Sequence, residues 1–341
     1  MQFDVLTIGN AIVDIISRTD DAFLAREAID KGAMTLIDAT RAVHLYDAMG
    51  PAIETSGGSA GNTVAGLVSL GGTGAYFGKV CDDQLGAIFR HDITALGVHY
   101  ETAPLQDFPP TARSMILVTP DGERSMNTYL GACVELSPAD IDPDVVAAAA
   151  VTYFEGYLWD PPLAKQAIVE AARIAHAHGR LVAMTLSDAF CVHRYRAEFL
   201  ELIASGTVDI VFANESEMLA LYETASLDEA MDRLATTVKR FAAVTRSEKG
   251  CVIVEGAMRL AVPASDVPQV VDTTGAGDLF ASGFLRGFTA GLGHEDCARL
   301  GVVAAGHIIG QIGPRPQGPL KDLPEAAAIL SRIGGRAAIA S

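Results

Sequence analysis

From Val151 onward, short apolar runs alternate with longer amphipathic ones. Val151 to Phe154 reads as a strand, Leu163 to His178 as a helix closed by Gly179, Leu181 to Leu186 as a strand, and Arg196 to Ala204 as helical. Val208 to Ala213 reads as a strand, and Ser216 to Glu223 and Leu227 to Arg240 as helices. Ala242 to Thr245 and Cys251 to Glu255 are strand-like around a Ser247-Glu248-Lys249-Gly250 turn. Strands this uniformly apolar need cover on both faces, and helices between them supply it. The expected fold is therefore α/β, with a central, mostly parallel sheet and helices on both faces.

The first half keeps this rhythm with one interruption. Phe3 to Ile8 is a strand ending at Gly9-Asn10, and Ala11 to Ile16 is a second apolar run containing Asp14. A charge inside such a run must face solvent, a partner or a ligand. Met34 to Ile37 is another short strand. A glycine-rich turn, Ser56-Gly57-Gly58-Ser59-Ala60-Gly61-Asn62, then leads into a helical pattern of Val64, Leu67 and Val68 that stops at Gly71-Gly72. It lacks the Gly-Lys-Ser/Thr of a Walker A loop and the GxGxxG of a dinucleotide fold. Ala75 to Val80 reads as a strand; Leu85, Ile88, Phe89 and Leu96 repeat at helical spacing before Gly97. Pro109-Pro110 opens a hairpin, Ala112 to Thr119 and Glu123 to Leu130 around Pro120-Asp121-Gly122. That hairpin breaks the alternation and belongs to a small sheet outside the main one.

The stretch Val270 to Phe280 carries the chemistry. It reads as a short apolar strand, a turn of small residues and a helix start. Gly275, Ala276 and Gly277 leave the N–H groups of a helix N-terminus open to an anion. Asp278 follows, a carboxylate beside an anion site. Either it does chemistry or it caps a buried helix.

Bulk properties narrow the function. The chain has 341 residues and a net charge of −17. It therefore lacks the basic footprint that nucleic acid requires. Five scattered cysteines, Cys81, Cys133, Cys191, Cys251 and Cys297, include no CxxC pair. They are expected to be buried and reduced, as in a cytoplasmic protein. Met1-Gln2-Phe3-Asp4 has no basic leader region, and no apolar run reaches membrane-span length. The C-terminal Gly334 to Ser341 reads as a mobile tail.

Four features lie just past strand candidates: Asp14, Gly57-Gly58, Asn214 to Glu217, and Gly275 to Asp278. Ligands of open α/β sheets gather at the carboxyl ends of strands. Here the sequence resembles the PfkB (ribokinase-like) family of small-molecule kinases over nearly its whole length. Asp272-Thr273-Thr274-Gly275-Ala276-Gly277-Asp278 is similar to the C-terminal signature, and Gly57 to Asn62 to the N-terminal one. Asn214-Glu215-Ser216-Glu217 resembles the Asn-x-x-Glu motif. Thr245 to Gly250 resembles the Thr-x-Gly-x-x-Gly nucleotide loop, with Ser247 where the family has Gly.

The resemblance implies roles. Asp278 would be the general base, and the N–H groups of Gly275, Ala276 and Gly277 the anion hole. Asn214, Thr245 and Gly250 would serve ATP, and Glu217 would organise Mg²⁺ through water. Asp272 and Thr274 match positions that hold a monovalent cation such as K⁺ in members that use one; a turn-capping Asp272 is the alternative. Asp14, Gly58 and Asn62 match acceptor-contacting positions. The resemblance also implies a large part made of 1–10, 40–108 and 131–341, and a β-sheet lid made of 11–39 and 109–130.

Two segments bear on the acceptor. Glu123-Arg124-Ser125 resembles an Asn-Arg-Ser segment of adenosine kinases whose Arg lies near the transferred phosphate. Gly156-Tyr157-Leu158-Trp159 resembles a segment whose aromatic, here Tyr157, stacks on the base. The expectation is ATP-dependent phosphorylation of the 5′-hydroxyl of a purine nucleoside, adenosine first. Fructose or another sugar is the second reading, and a silent sensor the third. Monomer and homodimer stay open.

Overall fold

In the computed structural model, which describes residues 2–333, the strands sort into two sheets. The tail from Gly334 lies outside the described residues. The larger sheet has eight strands. They are β1 (Phe3–Ile8), β5 (Gly74–Phe77), β8 (Ala149–Glu155), β9 (Leu181–Thr185), β10 (Ile210–Asn214), β11 (Phe241–Thr245), β12 (Cys251–Glu255) and β13 (Met258–Val262). Across the sheet the order is β13-β12-β11-β10-β9-β8-β1-β5. Pairing from β5 to β11 is parallel, and β12 and β13 close one edge antiparallel. The mostly parallel sheet expected from the sequence is present.

Its strands are apolar throughout because consecutive side chains enter different cores. Ile210 and Phe212 lie in one core with helices Ala276–Thr289 and His294–Ile308, while Val211 and Ala213 lie in another with helices Pro162–Ala177 and Ala189–Ala204. Phe241 and Ala243 divide from Ala242 and Val244 in the same way. This is the period-two geometry of a strand covered on both sides.

The smaller sheet contains β2 (Ile12–Arg18), β3 (Met34–Leu36), β4 (Ala52–Ser56), β6 (Ala112–Val118) and β7 (Arg124–Tyr129), in the order β3-β7-β6-β2-β4. Asp14 pairs with Ser114, and Ser114 with Thr128. Arg124 is an even number of residues from Thr128, so Asp14 and Arg124 share a face of this sheet.

Some expectations change. Strand β4 joins the smaller sheet although it lies within the 40–108 stretch assigned to the large part. Its Ile53 is exposed and its Thr55 and Glu54 polar, so no apolar signal marked it. Val270 and Val271 form no strand. Their segment is tied instead to a helix end, through Val271 N–H and Asp272 N–H to the carbonyl of Ile309 (2.8 and 3.2 Å), and both valines are exposed. Helical structure already begins at Ala189, where Asp188 caps it by accepting from Cys191 N–H at 2.6 Å, and a kink at Tyr195 (φ −120°) separates that segment from the helical run expected from Arg196. Helices Asp21–Arg26, Ala39–Ala48 and Pro324–Leu330 were not anticipated. The cysteines are buried and unpaired. No helix among the described residues is long and apolar enough to cross a membrane.

Helix Ala276–Thr289 packs between helices Ser59–Ser69 and His294–Ile308, and small residues permit the approach. A Cβ on Gly283 would stand 2.5 Å from the carbonyl oxygen of Leu300 and 2.8 Å from Gly301 Cα. Both obstacles are backbone, which cannot swing aside. We predict that Gly283→Ala destabilises the protein. Overpacking costs about 1–3 kcal/mol, against a helix-propensity gain of about 1 kcal/mol. Urea unfolding showing equal or greater stability would contradict this packing.

Candidate active site

The parallel strands deliver Asn10, Glu155, Thr185, Asn214 and Thr245 to one edge of the large sheet. Two helix N-termini meet there. Gly58 precedes helix Ser59–Ser69, and Gly275 precedes helix Ala276–Thr289 with φ of 79°. Asp278 is the third residue of the second helix. It does not cap that helix. Its Oδ1 accepts from Ser59 Oγ at 2.6 Å, and its Oδ2 from Asn62 Nδ2 at 3.0 Å. Burial raises its pKa, and those two hydrogen bonds and the Arg315 charge oppose the rise.

In the turn before Asp278 the three N–H groups expected to meet an anion differ. Ala276 N–H is drawn to the carbonyl of Thr273 at 3.2 Å. The N–H groups of Gly275 and Gly277 find no acceptor among the described residues, and a Cβ on Gly277 would meet nothing within 4 Å. Open space therefore lies over the helix N-terminus.

Asp14 is buried on the inner face of the small sheet and accepts no hydrogen bond among the described residues. A Cβ on Gly57 would be 2.3 Å from its Oδ2, so the carboxylate lies directly against the glycine turn. Burial pushes its pKa up to about 7, with the charges of Arg315 and Arg124 opposing. Gly58, at φ 82°, packs against Asn10; a Cβ there would be 2.2 Å from the Asn10 carbonyl oxygen. Beneath the turn, Glu155 was not singled out by sequence. It accepts from Asn10 N–H (3.0 Å), Asn10 Nδ2 (2.7 Å) and Ala60 N–H (2.7 Å). Burial raises its pKa to about 7. It ties the ends of β1 and β8 to the first helix.

Asn214 caps helix Glu215–Tyr222 in a reciprocal box. Its Oδ1 accepts from Glu217 N–H at 2.9 Å, and Glu217 Oε2 accepts from Asn214 N–H at 2.9 Å. Glu217 is buried, and burial raises its pKa to about 7. Thr245 pairs with Asn214 across the sheet. Ser247 adopts φ of 51°, a left-handed backbone that glycine, the residue the motif has here, takes more readily. Gly250 is required by packing, since a Cβ would be 2.0 Å from the Val262 carbonyl oxygen.

Arg124 crosses from the small sheet to the turn before Asp278. Its Nη1 donates to Thr274 Oγ1 at 2.7 Å, and its Nη2 stands 3.0 Å from Asp272 Oδ2. Asp272 also accepts from Thr274 N–H (3.0 Å) and Gly313 N–H (2.8 Å). Asp272 and Thr274, the residues expected at a monovalent-cation site, are thus held by a protein cation and by turn hydrogen bonds. Tyr157 is held by Ser187, through its own N–H to Ser187 Oγ (3.2 Å) and its hydroxyl to the Ser187 carbonyl (3.3 Å). Its phenol feels Asp188, Asp278 and Glu217. These contacts lend no support to base stacking. Trp159 is core, stacked near Phe154 and donating to Glu198 at 2.8 Å.

The largest omission from the sequence reading is Arg315. It lies in a loop after the last buried helix, and its guanidinium reaches Asn62, Ser56 and Gly57. One signal was available. Arg315 is the sole Asp, Glu, Lys or Arg between Leu300 and Leu320, and it stands between two prolines.

Residues 35–320 match the pfkB family of carbohydrate kinases. The chain belongs to that family. It is a small-molecule kinase with the ribokinase-like fold. Among solved structures it is similar to an adenosine kinase from Sinorhizobium meliloti, at 67% identity, covering 97% of this chain and 100% of that one, with a TM-score of 0.90. It is also similar to a probable sugar kinase from Rhizobium etli, at 64% identity, 96% and 99% coverage and a TM-score of 0.91. A curated relative is the adenosine kinase of Saccharomyces cerevisiae, 27% identical, covering 92% of this chain and 97% of that protein.

The buried carboxylates set a pH dependence of stability. Asp14, Glu155 and Glu217 titrate near 7 when folded, but from 3.8, 4.5 and 4.5 when exposed. Between these limits the folded chain binds more protons than the unfolded one. Stability contributed by these groups therefore falls as pH rises from about 4 to about 7 and levels off above. Urea unfolding of the ligand-free protein checks this, and Glu155→Gln is expected to flatten the slope. An unchanged slope in that variant would remove Glu155 as a contributor.

Proposed function

We propose that the chain transfers the γ-phosphoryl group of ATP to the 5′-hydroxyl of a purine nucleoside, adenosine first, making the 5′-monophosphate and ADP. The observation that carries the acceptor is 67% identity to a solved adenosine kinase over nearly the whole chain. The geometry of the site supports the mechanism. Ser59 places a hydroxyl 2.6 Å from Asp278 Oδ1, which is the contact an acceptor hydroxyl makes with a general base. Asp278 takes the proton as the acceptor oxygen attacks the γ-phosphorus and the bond to the β-phosphate oxygen breaks. The free N–H groups of Gly275 and Gly277 face the charge spread over the transferring group. Ala276 contributes by holding the turn.

Asp14 binds the acceptor. A buried carboxylate without a hydrogen-bond donor fits a vicinal diol, which brings two. Asn62 and the Gly57-Gly58 turn line the same side. Arg124 links the small sheet to the catalytic turn and sets a positive charge beside the phosphate path. Asn214 and Thr245 line the nucleotide side. Glu217 is a single carboxylate, and among the described residues no cluster of three or more His, Cys, Asp or Glu is set to hold a metal. Glu217 would hold a nucleotide-borne Mg²⁺ through water. Bound there, Mg²⁺ supplies neutralisation of phosphate charge.

A sugar acceptor is the second reading. The 64% identical Rhizobium etli protein is described as a sugar kinase, and the Asp14 diol site needs no base. A screen with ATP-Mg²⁺ against adenosine, inosine, guanosine, ribose and fructose separates the two. Transfer to adenosine is expected; transfer to fructose but to no nucleoside would sink the nucleoside assignment. In the same assay Asp278→Asn is expected to lower turnover by at least about a hundredfold, with acceptor binding by calorimetry largely kept. Near-normal turnover would remove Asp278 as the base.

A further inference from the structure

The loop after the last buried helix of the core brings a cation to the acceptor side that neither signature motif contains. Arg315 donates through Nη2 to the Gly57 carbonyl (3.2 Å), through Nε to Asn62 Oδ1 (3.3 Å), and through Nη1 to the Ser56 hydroxyl. The Ser56 hydroxyl donates onward to Asp92 Oδ2 at 3.0 Å. All three acceptors are uncharged. The guanidinium forms no direct ion pair among the described residues, although it lies in the field of Asp14, Asp92 and Asp278. An arginine whose fork is spent on neutral groups, with carboxylates around it, is set for orientation rather than for neutralising one partner.

Asn62 shows what is oriented. Its amide oxygen faces Arg315 and its amide nitrogen faces Asp278 Oδ2 at 3.0 Å. Turning the amide over would put NH₂ against the guanidinium and C=O against the carboxylate. Both contacts become repulsive together, so the cation on one side selects the donor on the other. Arg315 also stands 3.0 Å from where a Cβ on Gly61 would lie, so the turn is packed directly on the guanidinium.

We propose that Arg315 is a positioning residue for phosphoryl transfer, holding the Asn62 amide in the one orientation that donates to Asp278 and setting a positive charge in the field shared by Asp278 and Asp14. The proposal rests on the reading of Asp278 as general base. The groups bearing on Asp278 are Ser59 and Asn62 from the first helix, Asp14 from the small sheet, Tyr153 and Glu155 from the large sheet, Tyr157 from the turn after β8, and Arg315. Arg315 is the cation in this set. Its removal favours the protonated carboxyl.

The test compares wild type, Arg315→Met and Arg315→Lys as kcat and KM against pH, with ATP-Mg²⁺ and the acceptor preferred in the screen. Arg315→Met is expected to move the acidic limb of the profile up by about one pH, which lowers kcat/KM by up to about tenfold at pH below both limbs. Arg315→Lys is expected to keep the limb near its wild-type position while still raising KM, since an ammonium cannot reproduce the fork. Asn62→Ala, made in wild type and in Arg315→Met, is expected to cost clearly less in the second background. A folded Arg315→Met enzyme with an unmoved limb and additive losses overturns the proposal. If that variant does not fold, Arg315→Lys with wild-type kcat and KM overturns it instead. Wild-type enzyme inactive on every acceptor would refute the base reading itself, which separates that failure from this one.

Discussion

Burial of several carboxylates at one edge of a sheet is the constraint that the rest of this structure answers. Asp14, Glu155 and Glu217 lie out of water and Asp278 is half-buried beside them, and each charge is expensive there without compensation. The protein meets the cost mainly with backbone and neutral donors. Glu155 takes two backbone N–H groups and an amide, Glu217 takes the Asn214 cap, and Asp278 takes a hydroxyl and an amide. Asp14 alone is left without a donor. The unmet acceptor and the unmet N–H groups of Gly275 and Gly277 therefore face the same site with opposite needs. A ligand that brings hydroxyls to one and phosphate oxygens to the other satisfies both.

This arrangement requires elements far apart in sequence to come close. Glycines at 57, 66 and 283 remove the atoms that would hold them apart. The cost is a core in which added volume has nowhere to go, with Gly66 and Gly283 fixing the helix spacing. Arg124 and Arg315 close the assembly from opposite directions, one from the small sheet and one from the C-terminal loop. Arg124 reaches the turn before Asp278, and Arg315 reaches the end of β4, the Gly57 turn and the helix after it, which makes the site sensitive to how the small sheet sits on the large one.

The legible part of the sequence was periodic or punctuated. The parallel strands were readable because both faces are buried, and Asp278 and Asp14 because a charge in an apolar or small-residue stretch demands an explanation. Strand β4 was not readable, since its alternation is polar and exposed. The apolar Val270-Val271 pair read as a strand, yet its N–H groups go to a helix end. Arg315 escaped because its partners are one side-chain amide, one hydroxyl and one carbonyl, all in a glycine-rich turn more than 250 residues away.

The sequence by itself determined the α/β class, the order of the motifs, and the residue types able to serve as base, anion hole and diol acceptor, because these follow from local spacing and side-chain chemistry. Only the tertiary structure decided which donors those groups keep for themselves. Ala276 spends its N–H on a turn, Asp272 spends its carboxylate on Arg124, and Asp278 stays turned toward Ser59 and Asn62 rather than capping its own helix. Those choices depend on contacts between distant segments, and hydrogen-bond geometry at a few ångströms is not encoded in the spacing of residues along the chain.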